Sequence, residues 1–133
     1  MGPAASINEQ LDCSEILCRL ALKREFLAEG SVDAYLLRPS DKGRLSVYRL
    51  AKVSLTECSQ TFNKVHGAFS LHTGRIRSIS EIGLQPLDVV VDEEPGDKCP
   101  GHSSILNLPD PQEAFERAQR AASLLKRQSR PLA

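Results

Sequence analysis

Three stretches decide the fold class of this chain: Arg44-Leu45-Ser46-Val47-Tyr48-Arg49-Leu50, Ser54-Leu55-Thr56-Glu57, and Ala68-Phe69-Ser70-Leu71-His72-Thr73. In the first, Leu45 and Val47 alternate with other residues and share one face of a strand. The second is a capping box, in which the Ser54 hydroxyl and the Glu57 carboxylate can each satisfy an amide left free at a helix start. Leu55, Cys58, Phe62 and Val65 then fall at steps of three and four, which predicts a helix with one buried stripe, ended by Gly67. The third stretch alternates again and predicts a second strand.

Upstream, Asp12 and Ser14 offer N-caps to Ile16, Leu17, Leu20, Ala21 and Phe26, whose near-helical spacing predicts a first helix. Glu29-Gly30-Ser31 supplies its stop, because glycine tolerates the left-handed conformation that ends helices. Val32 to Arg38 is expected to be a short strand, and Pro39 to Gly43 a polar turn. Downstream, Ser78 to Gly83 is expected to make one helical turn and Leu84 to Asp92 a strand, with Leu87-Asp88-Val89-Val90-Val91 as its buried run. Glu93 to Gly101 should be an exposed loop and His102 to Leu108 a further strand. Asp110 is the expected N-cap, with Pro111 at the first helical position, of a terminal helix. Its apolar face holds Ala114, Phe115, Ala118, Ala121, Ala122 and Leu125, while Glu113, Glu116, Lys126 and Arg127 complement its dipole.

Strands and helices in this order show no regular βα alternation. The expected fold is therefore α+β: a mostly antiparallel sheet of about four or five strands packed with three helices. The expected organisation is a flexible segment over residues 1–11, a single domain over 12–128 and a frayed end over 129–133.

Apolar residues are 41% of the 133 and charged residues 26%, enough apolar surface for one core. Seventeen Lys+Arg balance seventeen Asp+Glu, so no net basic field draws in a phosphate backbone, and general nucleic-acid binding is not expected. Two tyrosines, four phenylalanines and no tryptophan leave no aromatic platform for stacked bases. Cys13, Cys18, Cys58 and Cys99 lie in no paired pattern and read as reduced thiols. Met1 to Asn8 lacks a basic, then apolar, leader, and no apolar run approaches the ~18 residues of a membrane span. A cytoplasmic protein without membrane association is expected, and near-zero net charge favours a protein partner or self-association.

Imidazole exchanges protons near neutral pH, so His66, His72 and His102 are the first candidates for chemistry. His72 and His102 as proton carriers, oriented by Asp92, would suit cleavage of a nucleotide or phosphodiester without a metal. The competing reading is three ordinary, partly exposed histidines. Cys99-Pro100-Gly101-His102 has a CxxH spacing that can supply two zinc ligands, with His66 or His72 to complete a tetrahedral site, but a second paired motif is missing; an exposed thiol beside a turn is the plainer reading. Asp88, Asp92, Glu93, Glu94 and Asp97 form an acidic run that suits a docking surface or a weak divalent site, though most such runs are solvated loops. Arg75 and Arg77 flank Ile76 and can clamp an anion bidentately, whereas most exposed arginines do nothing so specific. Ser103 and Ser104 follow His102; of these only Ser104 shares its face. No P-loop, GxSxG, HExxH or GxGxxG occurs, so no cofactor is expected.

Ser31-Val32-Asp33-Ala34-Tyr35, the Arg38-Pro39 turn, Leu45-Ser46-Val47 and Gly101-His102-Ser103-Ser104-Ile105 together resemble a group of small uncharacterised bacterial proteins, over roughly Phe26 to Leu125. The resemblance implies a bacterial cytosolic protein with a Leu-Ser-Val strand and a later His-small-x-Ile strand, and it implies no activity. The leading functional expectation is a noncatalytic protein-interaction or accessory module. The alternative is a small histidine-dependent hydrolase or nuclease acting on a nucleotide or RNA.

Overall fold

The segment expected to be the first helix is instead a strand in the middle of a sheet. The computed structural model describes residues 11–28, 30–62, 65–79, 85–93 and 99–132. In it Ile16–Ala21 forms β1, and every residue of β1 after Ile16 is buried. Leu17 and Ala21 face one core cluster while Cys18 and Leu20 face another. A strand covered on both sides loses its two-residue alternation, and its apolar run then fits helical spacing equally well. A 3-10 turn at Arg24–Leu27 carries the only helical geometry in this region. The expected strand over Val32 to Arg38 is likewise replaced by a 3-10 turn, Asp33–Tyr35, which buries Ala34 and Tyr35; another follows at Pro39–Asp41.

Leu45–Arg49 forms β2, with Leu45 and Val47 buried as the alternation predicts and Arg49 buried on the same face. The capping box builds α1, Leu55–Thr61: Glu57 N donates to Ser54 Oγ at 3.1 Å and Ser54 N donates to Glu57 Oε1 at 3.3 Å. The helix is shorter than expected, because Phe62 is already extended. Gly67–His72 forms β3 and runs directly into α2, Thr73–Arg77, ahead of the expected turn at Ser78 to Gly83, most of which lies outside the described residues. Asp88–Val91 is β4, His102–Leu106 is β5, Phe115–Gln128 is α3 and Arg130–Leu132 is β6. Asp110 caps a turn rather than α3, accepting from Gln112 N at 2.9 Å. Ala118, Ala121, Ala122 and Leu125 are buried as expected, whereas Phe115 is 55% exposed. The end expected to fray adds a strand, with Pro131 opposite Phe69 of β3.

The fold is α+β, and among the described residues it has one sheet of six strands rather than four or five, in the order β4-β5-β2-β1-β3-β6 with every neighbouring pair antiparallel. On one face Leu17, Leu45, Val47, Phe69, Leu71, Val89 and Ile105 pack with Ala121, Ala122 and Leu125 of α3 and with Tyr35. On the other, Cys18, Leu20 and Ala68 pack with Val53, Cys58 of α1 and Cys99. No helix among the described residues is long and apolar enough to cross a membrane.

The strand pairings are uneven. β1 pairs with β3 from Ile16↔His72 to Ala21↔Gly67, but with β2 only at Leu17↔Arg49 and Cys18↔Tyr48. Where that ladder stops, a side chain continues it. The Arg19 guanidinium donates from Nη1 to the Ser46 carbonyl at 2.9 Å and from Nε to the Ala34 carbonyl at 2.8 Å. Arg19 is 8% exposed, so this planar fork stands in for backbone donors inside the core.

Candidate active site

β2 and β5 place Ser46 and His102 on the same face. Val47 and Ile105 point into the core beneath α3, so the residues between them point the other way. Register pairs Ser46 with Ser104 and Tyr48 with His102, which makes Ser46 and His102 diagonal neighbours. Their side chains meet: His102 Nε2 is 2.9 Å from Ser46 Oγ. The other ring nitrogen, Nδ1, is 2.7 Å from the backbone oxygen of Asp92. A carbonyl can only accept, so Nδ1 carries the proton and donates. In the neutral ring Nε2 then keeps its lone pair toward Ser46, whose hydroxyl donates. The ring also packs at 5.5 Å between centroids against Tyr48, which packs against Phe62 at 5.6 Å.

Asp92 contributes its carbonyl to the histidine and its carboxylate to a second pair of contacts. Ser104 Oγ donates to Asp92 Oδ2 at 2.6 Å, and Arg44 Nη1 lies 3.1 Å from the same oxygen. Burial alone would raise this carboxyl, but the Ser104 hydroxyl, the Arg44 hydrogen bond and charge, and the nearby His102 together hold it below its ordinary value of 3.8. A depressed folded pKa makes the unfolded chain bind protons first. The stability contributed by Asp92 is therefore full above the ordinary value and is lost as pH falls through the folded one. Asp92→Asn is expected to be the less stable protein near neutral pH, with the difference shrinking as pH falls below the ordinary carboxyl value of 3.8; paired denaturant titrations from neutral into acid pH check it.

The other sequence candidates do not converge here. His72 closes β3, three strand spacings or roughly 14 Å across the sheet from β5, so the two-histidine proton relay is not assembled. Its Nδ1 is buried and has no hydrogen-bond partner among the described residues. His66 precedes β3, donates its backbone amide to Ala21 O at 2.9 Å and lines a concavity with Leu55, Val65 and Leu132. Cys99 is 2% exposed, not a solvent-facing thiol, and its sulfur lies against Cys58 rather than His102. Among the described residues no group of three potential ligands is arranged to hold a metal ion.

The acidic run is also engaged within the molecule. Asp88 Oδ1 accepts from Arg77 Nε at 2.9 Å and Glu93 Oε1 from Gly101 N at 2.7 Å, while Glu94 and Asp97 lie outside the described residues. Arg77 is no free clamp: it also donates to Leu11 O at 2.6 Å and to Val89 O at 3.0 Å, strapping α2 to the edge strand β4. Ser46, Arg44 and Arg19 are residues in and beside the site that the sequence reading did not single out as candidates. A signal for Ser46 was present, since Ser46 and His102 both sit on expected strands opposite to core positions. Arg19 carried none once its segment was taken for a helix. No family model, curated protein or solved structure matches the chain.

Proposed function

We propose that the protein is a small hydrolase in which Ser46 is the nucleophile and His102 its base, acting on a phosphoester of the nucleotide or RNA class. The observation that carries this reading is the hydrogen-bonded series Ser46 Oγ, His102 ring, Asp92 carbonyl, in which a fixed tautomer presents a basic nitrogen to a hydroxyl. His102 Nε2 takes the hydroxyl proton as Ser46 Oγ forms its bond to the electrophilic phosphorus. The ester oxygen then leaves with that proton, and water releases the serine by the reverse transfer. The imidazolium formed in between keeps its bond to the Asp92 carbonyl and gains the nearby carboxylate. Arg44, with a half-exposed side chain beside Asp92, supplies a cation for the substrate's anionic group.

An organophosphonate probe reports on such a serine without knowledge of the natural substrate. The expected result is one adduct, mapped to Ser46 by peptide mass spectrometry, absent in Ser46→Ala and about a hundredfold or more slower in His102→Gln. Thermal melts of both variants establish that they remain folded. An adduct on another residue, or none, overturns the reading. The accessory-module expectation draws instead on Phe115, a large apolar side chain left 55% exposed where α3 begins, and it requires the serine to be inert.

A further inference from the structure

Cys18 of β1, Cys58 of α1 and Cys99, which precedes β5, are buried together in the smaller core cluster, and none is in a disulfide. Cys58 and Cys99 are the closest approach: their sulfurs lie 3.6 Å apart, although the residues are 41 positions apart in the chain. A disulfide needs about 2.0 Å between sulfurs, so the two must close by roughly 1.5 Å. The flanking contacts hold both ends in place. Cys58 N donates to Ser54 O at 2.9 Å within α1, and Gly101, two residues after Cys99, accepts from Arg49 N at 2.9 Å.

We propose that Cys58 and Cys99 are an oxidation site that closes to an intramolecular disulfide in the presence of a peroxide, clipping α1 to the segment that enters β5. One sulfur attacks a peroxide oxygen, the O–O bond breaks, and a sulfenic acid forms as the first water leaves. The second sulfur displaces the sulfenic oxygen as a second water, so two thiols lose two electrons and two protons while one peroxide is reduced. Burial shapes which oxidant works. It pushes Cys58 well above the ordinary thiol value and Cys18 to about 11, which lowers the thiolate fraction and makes the oxidation slow. Burial of both sulfurs of the pair also selects the oxidant by size: a small neutral peroxide can reach them, and bulky charged disulfides cannot.

The experiment exposes the full-length protein, native and Cys13→Ser, to hydrogen peroxide. The variant removes the exposed thiol, which otherwise invites links between molecules. The expected result is a loss of two hydrogen masses, one cross-linked peptide pair joining Cys58 to Cys99, reversal by dithiothreitol, and no mass loss in Cys58→Ala. Because the bridge restricts the unfolded chain over a long loop, the oxidised form should melt roughly 5–10 °C higher than the reduced one. Persistently reduced thiols, sulfinic or sulfonic acids in place of the bridge, or a link through Cys18 would overturn the proposal. Each of these outcomes is independent of whether Ser46 reacts with a phosphonate.

Discussion

Glu15→Ala is expected to cost about 3–5 kcal/mol of stability, the largest effect of any single polar substitution among these contacts. Glu15 and Arg49 form a two-point ion pair, Oε1 with Nε and Oε2 with Nη2, the latter at 3.1 Å. Their side chains are only 10% and 8% exposed, so solvent screens the pair weakly. The loss arises from the two charge-assisted hydrogen bonds that alanine removes from a weakly solvated guanidinium at the end of β2. The same residue anchors the chain through its backbone, since Glu15 O accepts from Thr73 N at 3.0 Å and from Thr73 Oγ1 at 2.8 Å, and alanine leaves those bonds intact. The cost therefore belongs to the side chain. Equilibrium denaturation should show a lower midpoint at an unchanged slope. Replacing both members with methionine should recover part of the loss, because a packed apolar pair removes the desolvation cost of both charges.

Arg19→Met should destabilise the protein by about 2–4 kcal/mol, and here two effects oppose each other. Desolvation by burial already lowers the Arg19 pKa, the sign of a charge held at some cost, and methionine would relieve that cost. Against this, the carbonyls of Ala34 and Ser46 lose their guanidinium donors, and a buried acceptor without a partner costs about 1–3 kcal/mol. The orphaned carbonyls dominate because they are fixed backbone groups, and methionine offers them nothing. Arg19→Lys should recover only part of the loss, since one ammonium does not reproduce a planar fork aimed at two oxygens. Chemical denaturation of the three proteins side by side measures the ranking. Arg19→Lys as stable as the native protein would show that the fork geometry is unimportant.

Much of the sheet was legible where one strand face is covered by polar surroundings and the other by core. Leu45 and Val47 in β2 showed the alternation, and the Ser54 and Glu57 box marked the start of α1. β1 was not legible for the opposite reason. With Leu17 to Ala21 all buried, its pattern carries no period, and Asp12 and Ser14 looked like caps; in the structure Asp12 Oδ1 accepts from Ser14 N in a turn. The length of α1 was overestimated because Phe62 and Val65 do pack against the core, but from extended or irregular backbone rather than from a helix face. For the candidate site, His102 and Asp92 were visible as residue types at the rim of a strand. Their partner Ser46 is 56 residues from His102, and only strand register brings it within reach.

The narrow pairing of β1 with β2 divides the sheet into two leaves, β4-β5-β2 and β1-β3-β6, joined along a short seam. Neither leaf is a continuous piece of chain. The polypeptide passes from one leaf to the other between β1 and β2, again between β2 and β3, and again on the way to β4 and to β6. A cut between β2 and β3, or between β3 and β4, therefore leaves both fragments short of a complete leaf. Dissecting this molecule at either of those two connections should therefore yield pieces that do not fold, because each leaf is completed only by a strand from the other piece.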